Sequence, residues 1–176
     1  MKLGRIEKRK LKMRRSEAVI LFSVASQKLA IAAQAVEEIR NTDGLRSLHQ
    51  GMGPGKVSKV KQVLERDDRS YFVVDANQHL RMLSSRSARL LLMRDSDVAL
   101  SVDAIDRMAE VTVLHPLPRA FRGEERNWYR GLVLIGEDVV PVLNPAVLLS
   151  KPELAALRAV LPKSESLVAM KGAASA

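Results

Sequence analysis

The chain has 176 residues, of which 47% are apolar and 28% are charged. This composition is ordinary for a globular protein with a real hydrophobic core, and it excludes a wholly disordered chain, a collagen-like chain and a coiled-coil rod. The absence of cysteine excludes disulfides, thiol nucleophiles and thiolate metal sites. His49, His79 and His115 lie far apart in the sequence, so we expect neither a metal site nor a cofactor.

The net charge of +9 is concentrated at the N-terminus, because residues 1–15 contain eight basic residues and one acidic residue. Such an arm can bind the phosphates of nucleic acid or an anionic membrane. The arm contains no aromatic residue for base stacking, so we interpret residues 1–17 as a solvated basic arm. Nucleic-acid binding by a small β-barrel with this arm is kept as the less favoured alternative.

No uncharged apolar run approaches the roughly 18 residues that span a bilayer. The N-terminal region also has no uncharged segment that ends in a small-residue cleavage site. We therefore expect no membrane insertion and a cytoplasmic location.

The first third of the chain predicts strands and one flexible loop. Residues 18–25 are a β-branched apolar run, which is typical of a strand. Residues 29–39 fit a helix by their alanines and glutamates, or a short strand, a turn and a second strand by their length. Residues 51–55 hold three glycines and a proline, which indicates a flexible loop without the spacing of a phosphate-binding loop.

The remaining chain predicts mostly short strands between turns. A short helix is predicted where apolar residues recur at near-helical spacing, at Val57, Val60, Val63 and Leu64. Strands are predicted at residues 71–75, 88–93, 98–102, 105–114, 129–135 and 139–143. The capping box of Ser150 and Glu153 predicts a helix over residues 151–161.

No motif of nucleophilic or metal-assisted catalysis is present in the sequence. Asp75 and Asp103 each follow an apolar strand, and either carboxylate could act as a general acid or base. Acids at strand ends more often accept backbone N–H bonds in turns. We therefore predict no catalytic residue and no small-molecule substrate, and rank an enzyme as a distant third hypothesis.

Three stretches of the sequence follow one another in the order of a known family's motifs. Residues 19–24 (VILFSV) and 35–40 (AVEEIR) match its opening strand and its V-x-E-I/V segment. Residues 98–105 (VALSVDAI) are similar to its GLxVDxV motif. Residues 129–149 are similar to its YxxG and LLDxxxLL motifs, with Asn144 where Asp is commoner. The sequence thus resembles the CheW-like domain, the coupling module of bacterial chemotaxis arrays.

The resemblance covers about residues 18–161 and implies a mainly β fold of two SH3-like, five-stranded barrels with a C-terminal helix. It also implies that residues 29–39 form a strand, a turn and a strand. The expected divisions are a basic arm at 1–17, a first barrel at about 18–85, a second barrel at about 86–150, the helix at 151–161 and a flexible tail at 162–176.

A family member of this kind is a non-catalytic adaptor for signal transduction. The implied partners are the regulatory domain of a CheA-type histidine kinase, bound barrel to barrel, and the cytoplasmic tip of a methyl-accepting chemoreceptor, held in the groove between the barrels. By their motif positions, the expected partner-binding residues are Val36, Glu38, Ile39, Arg40 and Arg130. Gly131 and Asp103 are expected to be structural.

Alternative roles stay open for the same residues. Val36 and Ile39 fit simple core burial equally well, since apolar strand residues are mostly core. Glu38 and Arg40 also fit a solvated strand face, and Arg130 fits a surface ion pair.

The sequence departs from the family in the first barrel. The family's Arg-Gly and Pro are absent there, and residues 65–69 (ERDDR) stand in the place of the Arg-Gly. The resemblance therefore implies a divergent member whose partners can differ from the standard ones.

Overall fold

The computed structural model describes residues 16–52, 55–83 and 85–161. The basic arm up to residue 15, part of the glycine-rich loop and the expected tail at 162–176 lie outside the described residues. The described strands are β1 (Glu17–Val24), β2 (Gln27–Ala32), β3 (Val36–Asn41), β4 (Leu45–Ser47), β5 (Val60–Arg66), β6 (Arg69–Asp75), β7 (Arg89–Met93), β8 (Val98–Val102), β9 (Ala104–Val111), β10 (Tyr129–Ile135) and β11 (Asp138–Leu143). The described helices are α1 (Ala76–His79), α2 (Glu125–Trp128) and α3 (Lys151–Val160).

The strands form two sheets, so the prediction of a mainly β fold with a C-terminal helix is confirmed. The first sheet has five strands in the order β10-β11-β2-β1-β9. The second sheet has six strands in the order β3-β7-β8-β6-β5-β4. The extra strand relative to the expected five is β4, whose three residues pair with β5.

The chain builds the two sheets from three successive stretches of strands. The chain leaves the first sheet after β2, through a 3-10 turn at Ala33–Ala35, and builds the whole second sheet from β3 to β8. It returns to the first sheet at Asp103, between β8 and β9. The first sheet therefore contains strands from both ends of the described chain, a pairing that local sequence does not encode.

The central strands of each sheet are buried on both faces. On β1, Ile20 and Phe22 lie in a large core that both sheets share, whereas Val19 and Leu21 belong to a second cluster with β10 and β11. On β6, Phe72 lies in the shared core and Tyr71 lies in a third cluster within the six-stranded sheet. Strands buried on both faces need continuous rather than alternating apolar runs, which explains sequences such as VILF and YFVV.

The ambiguous segment at residues 29–39 is a strand, a 3-10 turn and a second strand, as the resemblance implied. The predicted short helix around residues 57–64 is wrong, because this segment leads into β5. The β5–β6 register shifts between Val60 and Gln62, which marks a β-bulge. A bulge adds one residue to the strand, so Val60 and Val63 are both buried at a spacing of three.

The C-terminal helix α3 begins at a complete capping box. The Ser150 hydroxyl accepts from the Glu153 backbone N–H at 3.3 Å, and the Glu153 carboxylate accepts from the Ser150 N–H at 2.7 Å. These two bonds satisfy N–H groups that lack partners within the helix. The helix then packs on the shared core through Leu157, which is fully buried.

The β1–β2 turn uses left-handed backbone at two residues that are not glycine. Ala25 has a φ of 47° and Ser26 a φ of 65°. Two-residue hairpin turns of this kind favour Asn-Gly or Gly-Gly, since a Cβ is strained at positive φ. The turn is held in part by Asp103, whose Oδ2 accepts from the Ala25 backbone N–H at 2.8 Å.

We expect Ser26→Gly to raise the free energy of unfolding by about 0.5–1 kcal/mol, because it removes the strained Cβ from an exposed turn. The opposite change is available in the β10–β11 turn, where Gly136 has a φ of 63° and open space around it. Gly136→Ser should lower the free energy of unfolding by a similar amount. Urea unfolding of both variants checks the pair, and a loss of stability in Ser26→Gly would contradict the turn conformation.

Candidate functional site

Strand β3 contains four of the five expected partner-binding residues and forms one edge of the six-stranded sheet. It pairs only with β7, so its other side is not part of a strand ladder among the described residues. Val36 at its start is 6% exposed and lies in the shared core. Ile39 is 42% exposed, so it is not a core residue. Of these two apolar side chains, Ile39 is the one that a partner can reach.

The charged side chains of β3 are engaged in ion pairs on the same surface. The Glu38 carboxylate pairs with Arg66 and, at 3.9 Å, with Nε of Arg40. The neighbouring Glu37 pairs with Arg69 at 3.6 Å. Partly exposed pairs of this kind contribute little stability, and a partner's charges can replace them at low cost. Glu38, Ile39 and Arg40 also line a surface depression of about 330 Å³.

Arg130 does not join this surface, because it lies on β10 in the other sheet. Its Nη1 donates to Oε1 of Glu17 at 2.8 Å, and its Nη2 lies 3.5 Å from Oε2 of the same carboxylate. The ion pair connects the start of β1 to β10, although these two strands are not neighbours in the sheet. Arg130 therefore has an intramolecular partner in the structure.

Asp103 lies where the chain crosses from the six-stranded sheet to the five-stranded sheet. Besides the Ala25 N–H, its carboxylate accepts from the Ser85 hydroxyl at 2.7 Å. The same hydroxyl lies 2.8 Å from the side-chain oxygen of Asn77 in α1. This network ties the β1–β2 turn to the segments around α1.

Gly131 permits a close approach of two chain segments. The segment at His115 pairs with Leu132, with backbone N–H···O distances of 2.8 and 2.9 Å. A Cβ on residue 131 would lie 2.4 Å from the His115 carbonyl oxygen and 2.9 Å from Cγ of Leu114. The β10–β11 register also shifts between Tyr129 and Gly131. Only glycine fits here without moving backbone.

We expect Gly131→Ala to lower the free energy of unfolding by about 1–3 kcal/mol, the usual cost of overpacking. Gly51→Ala is the matched control, because its added Cβ meets nothing within 4 Å and its backbone is not left-handed. Chemical denaturation of both variants tests this expectation. Equal stability of the two variants would contradict the close contact.

A cleft that the sequence did not reveal lies where the three helices meet. This junction cleft has a volume of about 560 Å³, and the residues that line it include Lys59, His79, Arg81, Glu124, Trp128 and Glu153. His79 is only 7% exposed, and its Nε2 has no hydrogen-bond partner among the described residues. The His79 ring lies 5.6 Å from the Trp128 ring, centroid to centroid.

Local sequence explains why His79 is buried. It lies three residues after Ala76 on the same face of α1, and Ala76 is buried in the shared core. This spacing after the strand YFVVD is the signal that could have identified an inward-facing histidine. The burial lowers the pKa of His79 to about 4, with a further lowering by the Lys59 ammonium and an opposing effect of Glu153.

The Lys59–Glu153 ion pair lies beside this histidine, with 3.1 Å between Nζ and Oε1. Burial alone would raise the pKa of Glu153, but the Ser150 backbone N–H and Lys59 outweigh it and hold the pKa below its usual range. On the outer side of the cleft, Arg81 donates to Glu124 at 2.9 Å and lies over the Trp128 ring at 5.6 Å. The cleft thus places two ion pairs around a histidine and an indole.

We expect His79 to make the fold less stable in mild acid. Its pKa is lower in the folded chain than the ordinary value of 6.5, so the unfolded chain binds more protons as the pH falls from 6.5 towards 4. Between pH 7.5 and 5, the free energy of unfolding of the wild-type chain should fall by about 2 kcal/mol more than that of His79→Gln. Urea unfolding at both pH values measures this difference, and equal losses in the two chains would contradict it.

Among the described residues, no cluster of three His, Cys, Asp or Glu side chains could hold a metal ion. None of the helices described is long and apolar enough to cross a bilayer. Two sheets around one shared core, with ion-paired surface charges, define a two-sheet β module.

The chain belongs to the CheW-like domain family, whose family model matches residues 18–153. The resemblance seen in the sequence is therefore confirmed. Among solved structures, the chain is similar to the scaffolding protein TtCheW from Thermoanaerobacter tengcongensis, with a TM-score of 0.62 and 12% identity. The match covers 76% of this chain and 92% of that chain, and at this identity it shows a shared fold. No curated protein sequence matches the chain.

Proposed function

We propose that this chain is a non-catalytic scaffold that couples a chemoreceptor to a CheA-type histidine kinase in the cytoplasm. The observation that carries this proposal is the family match over residues 18–153, which spans both sheets. In this role the partners are the regulatory domain of the kinase and the cytoplasmic tip of the receptor. A scaffold of this kind acts by burying the surfaces of its partners, and this role needs no catalytic group.

The free edge of β3 is the surface that we assign to a partner. Ile39 supplies exposed apolar area, and burial of such area drives association at about 25 cal/mol per Å² before the costs of binding are counted. Glu38 and Arg40 flank it with charges that can pair with a partner and set its orientation. Val36 supports this strand from the core rather than through its own exposed surface.

The β5–β6 turn makes this surface differ from the family's usual pattern. It stands where the family's Arg-Gly is expected, and its tip residue Asp67 has a side chain that is 88% exposed. The arginines on either side of the turn, Arg66 and Arg69, pair with Glu38 and Glu37 of β3. Asp67 also lies 3.6 Å from Nε of Arg66, so a partner of this chain meets a turn of paired charges. This surface favours a partner adapted to this member of the family.

The test is a binding titration of the full chain against the regulatory domain of a CheA-type kinase and against a receptor-tip fragment, each from the same organism. We expect micromolar binding to at least one of them, and Ile39→Ser should weaken it about tenfold, equivalent to about 1.4 kcal/mol. Leu83→Ser is the control, because Leu83 is 84% exposed and lies outside the strands. Calorimetry at two salt concentrations separates apolar from charged contacts, since only the latter weaken strongly in salt.

Two results would contradict the proposal. One is the absence of binding to both partners, and the other is an equal effect of the two serine substitutions. Binding of duplex DNA that falls steeply with salt and disappears when residues 1–15 are deleted would instead support the nucleic-acid alternative. That alternative rests on the eight basic residues of the arm.

A further inference from the structure

The junction cleft has the size and composition of a ligand site. Its volume of about 560 Å³ falls within the usual range for small-molecule pockets. It combines a nearly buried indole, Trp128, with polar side chains from the turn before β5 and from all three helices. The partner surface on β3 does not use any of these residues, so the scaffold role leaves the cleft unexplained.

Lys59 and Arg81 keep hydrogen-bond donors that the described contacts do not use. An ammonium has three N–H groups and a guanidinium has five, and the described contacts engage one of them in Lys59 and one in Arg81. The two carboxylates also accept bonds, Glu153 from Lys59 and Ser150 and Glu124 from Arg81. A ligand with acceptor oxygens could bond to the remaining donors of Lys59 and Arg81.

His79 provides a second and independent indication that the cleft binds a ligand. It is more than nine-tenths buried and lines the cleft, yet its Nε2 lacks a partner in the described chain. A buried polar nitrogen without a hydrogen bond costs about 1–3 kcal/mol, and native structures contain few of them. As a neutral imidazole with Nε2 protonated, His79 would donate to the same kind of oxygen that Lys59 and Arg81 attract.

Arg81 and Glu124 form an exposed ion pair in the lining of the cleft. Both side chains are largely exposed, at 67% and 77%, so their bond has little net strength and can be exchanged. Arg81 also has a left-handed backbone, with a φ of 53°, at the residue just after Leu80, and this conformation accompanies its place over Trp128. Exchange of Glu124 for an oxyanion would keep the guanidinium over the indole.

We propose that the junction cleft binds a small anion-bearing ligand, whose phosphate or carboxylate oxygens accept from Lys59, Arg81 and His79 while its apolar part lies against Trp128. The chemistry shared by the two anion types is an oxyanion of one or two negative charges. The proposal goes beyond the scaffold role and does not depend on it.

The test uses the full chain, in which Trp128 is the single tryptophan and its fluorescence reports on the cleft. Inorganic phosphate and acetate are titrated separately at pH 7.5 and constant ionic strength. We expect a saturable change in Trp128 emission with at least one of them. Lys59→Gln and Arg81→Gln should each weaken that binding at least fivefold, and Arg158→Gln should change it less than twofold.

Arg158→Gln is the matched control, because it removes the same charge from an exposed arginine of α3. Arg158 pairs with Asp97. Arg81 is exposed as well, so Arg81→Gln tests the site even if Lys59→Gln disturbs the fold. Saturation by phosphate alone assigns a phosphorylated ligand, and saturation by acetate alone assigns a carboxylate. A response that does not saturate with either anion, or equal affinities in Arg81→Gln and Arg158→Gln, would overturn the proposal.

Discussion

The apolar core shared by the two sheets is the constraint on which the rest of the molecule depends. It contains residues from β1 and β2 of one sheet, from β6 and β8 of the other, and Leu157 of the C-terminal helix. Because each sheet also has its own cluster on its other face, neither sheet can turn a strand over without exposing apolar side chains. The register of both sheets, and hence the positions of all surface residues, follows from this double burial.

Ion pairs then join parts of each sheet that strand pairing leaves apart. β3 is at one edge of the six-stranded sheet, yet its glutamates reach the arginines at the β5–β6 turn. In the five-stranded sheet, Arg130 of β10 reaches Glu17 of β1 in the same way. Each of these contacts is partly exposed and therefore weak, so the core rather than these charges determines the fold.

The sequence allowed the strands to be predicted where their burial is regular. Residues 98–102 and 129–135 were predicted at their observed bounds, because their apolar runs end at clear turn residues. The helix around residues 57–64 was wrong because a bulge after Val60 replaces the period of two by a spacing of three, which resembles a helix. The order in which the chain builds the two sheets has no local signal, because pairing of β1 with β9 depends on contacts over some 85 residues.

The residues of the candidate sites were predictable to different degrees for similar reasons. Glu38, Ile39 and Arg40 could be singled out because they lie within one short motif. Their exposure could not be predicted, because the sequence fitted burial of Val36 and Ile39 as well as it fitted partner binding. The fold buries Val36 and leaves Ile39 exposed. The junction cleft has no motif at all, because Lys59, His79, Trp128 and Glu153 come from four separate segments and meet only in the folded chain.

The position of the cleft gives a ligand there a physical route to the scaffold's surfaces. His79 follows β6 of the six-stranded sheet, and Trp128 directly precedes β10 of the five-stranded sheet. A ligand held by both would favour the folded arrangement of the two sheets by RT ln(1 + [L]/Kd), which is about 2.7 kcal/mol at a hundredfold excess over Kd. Coupling to a partner is reciprocal, so an anion can change the affinity at β3 only if it binds the free and the partner-bound chain differently. The shared core is the element through which such a difference would have to pass, because it includes Trp128 of the cleft and Val36 of β3, the strand that we propose as the partner surface.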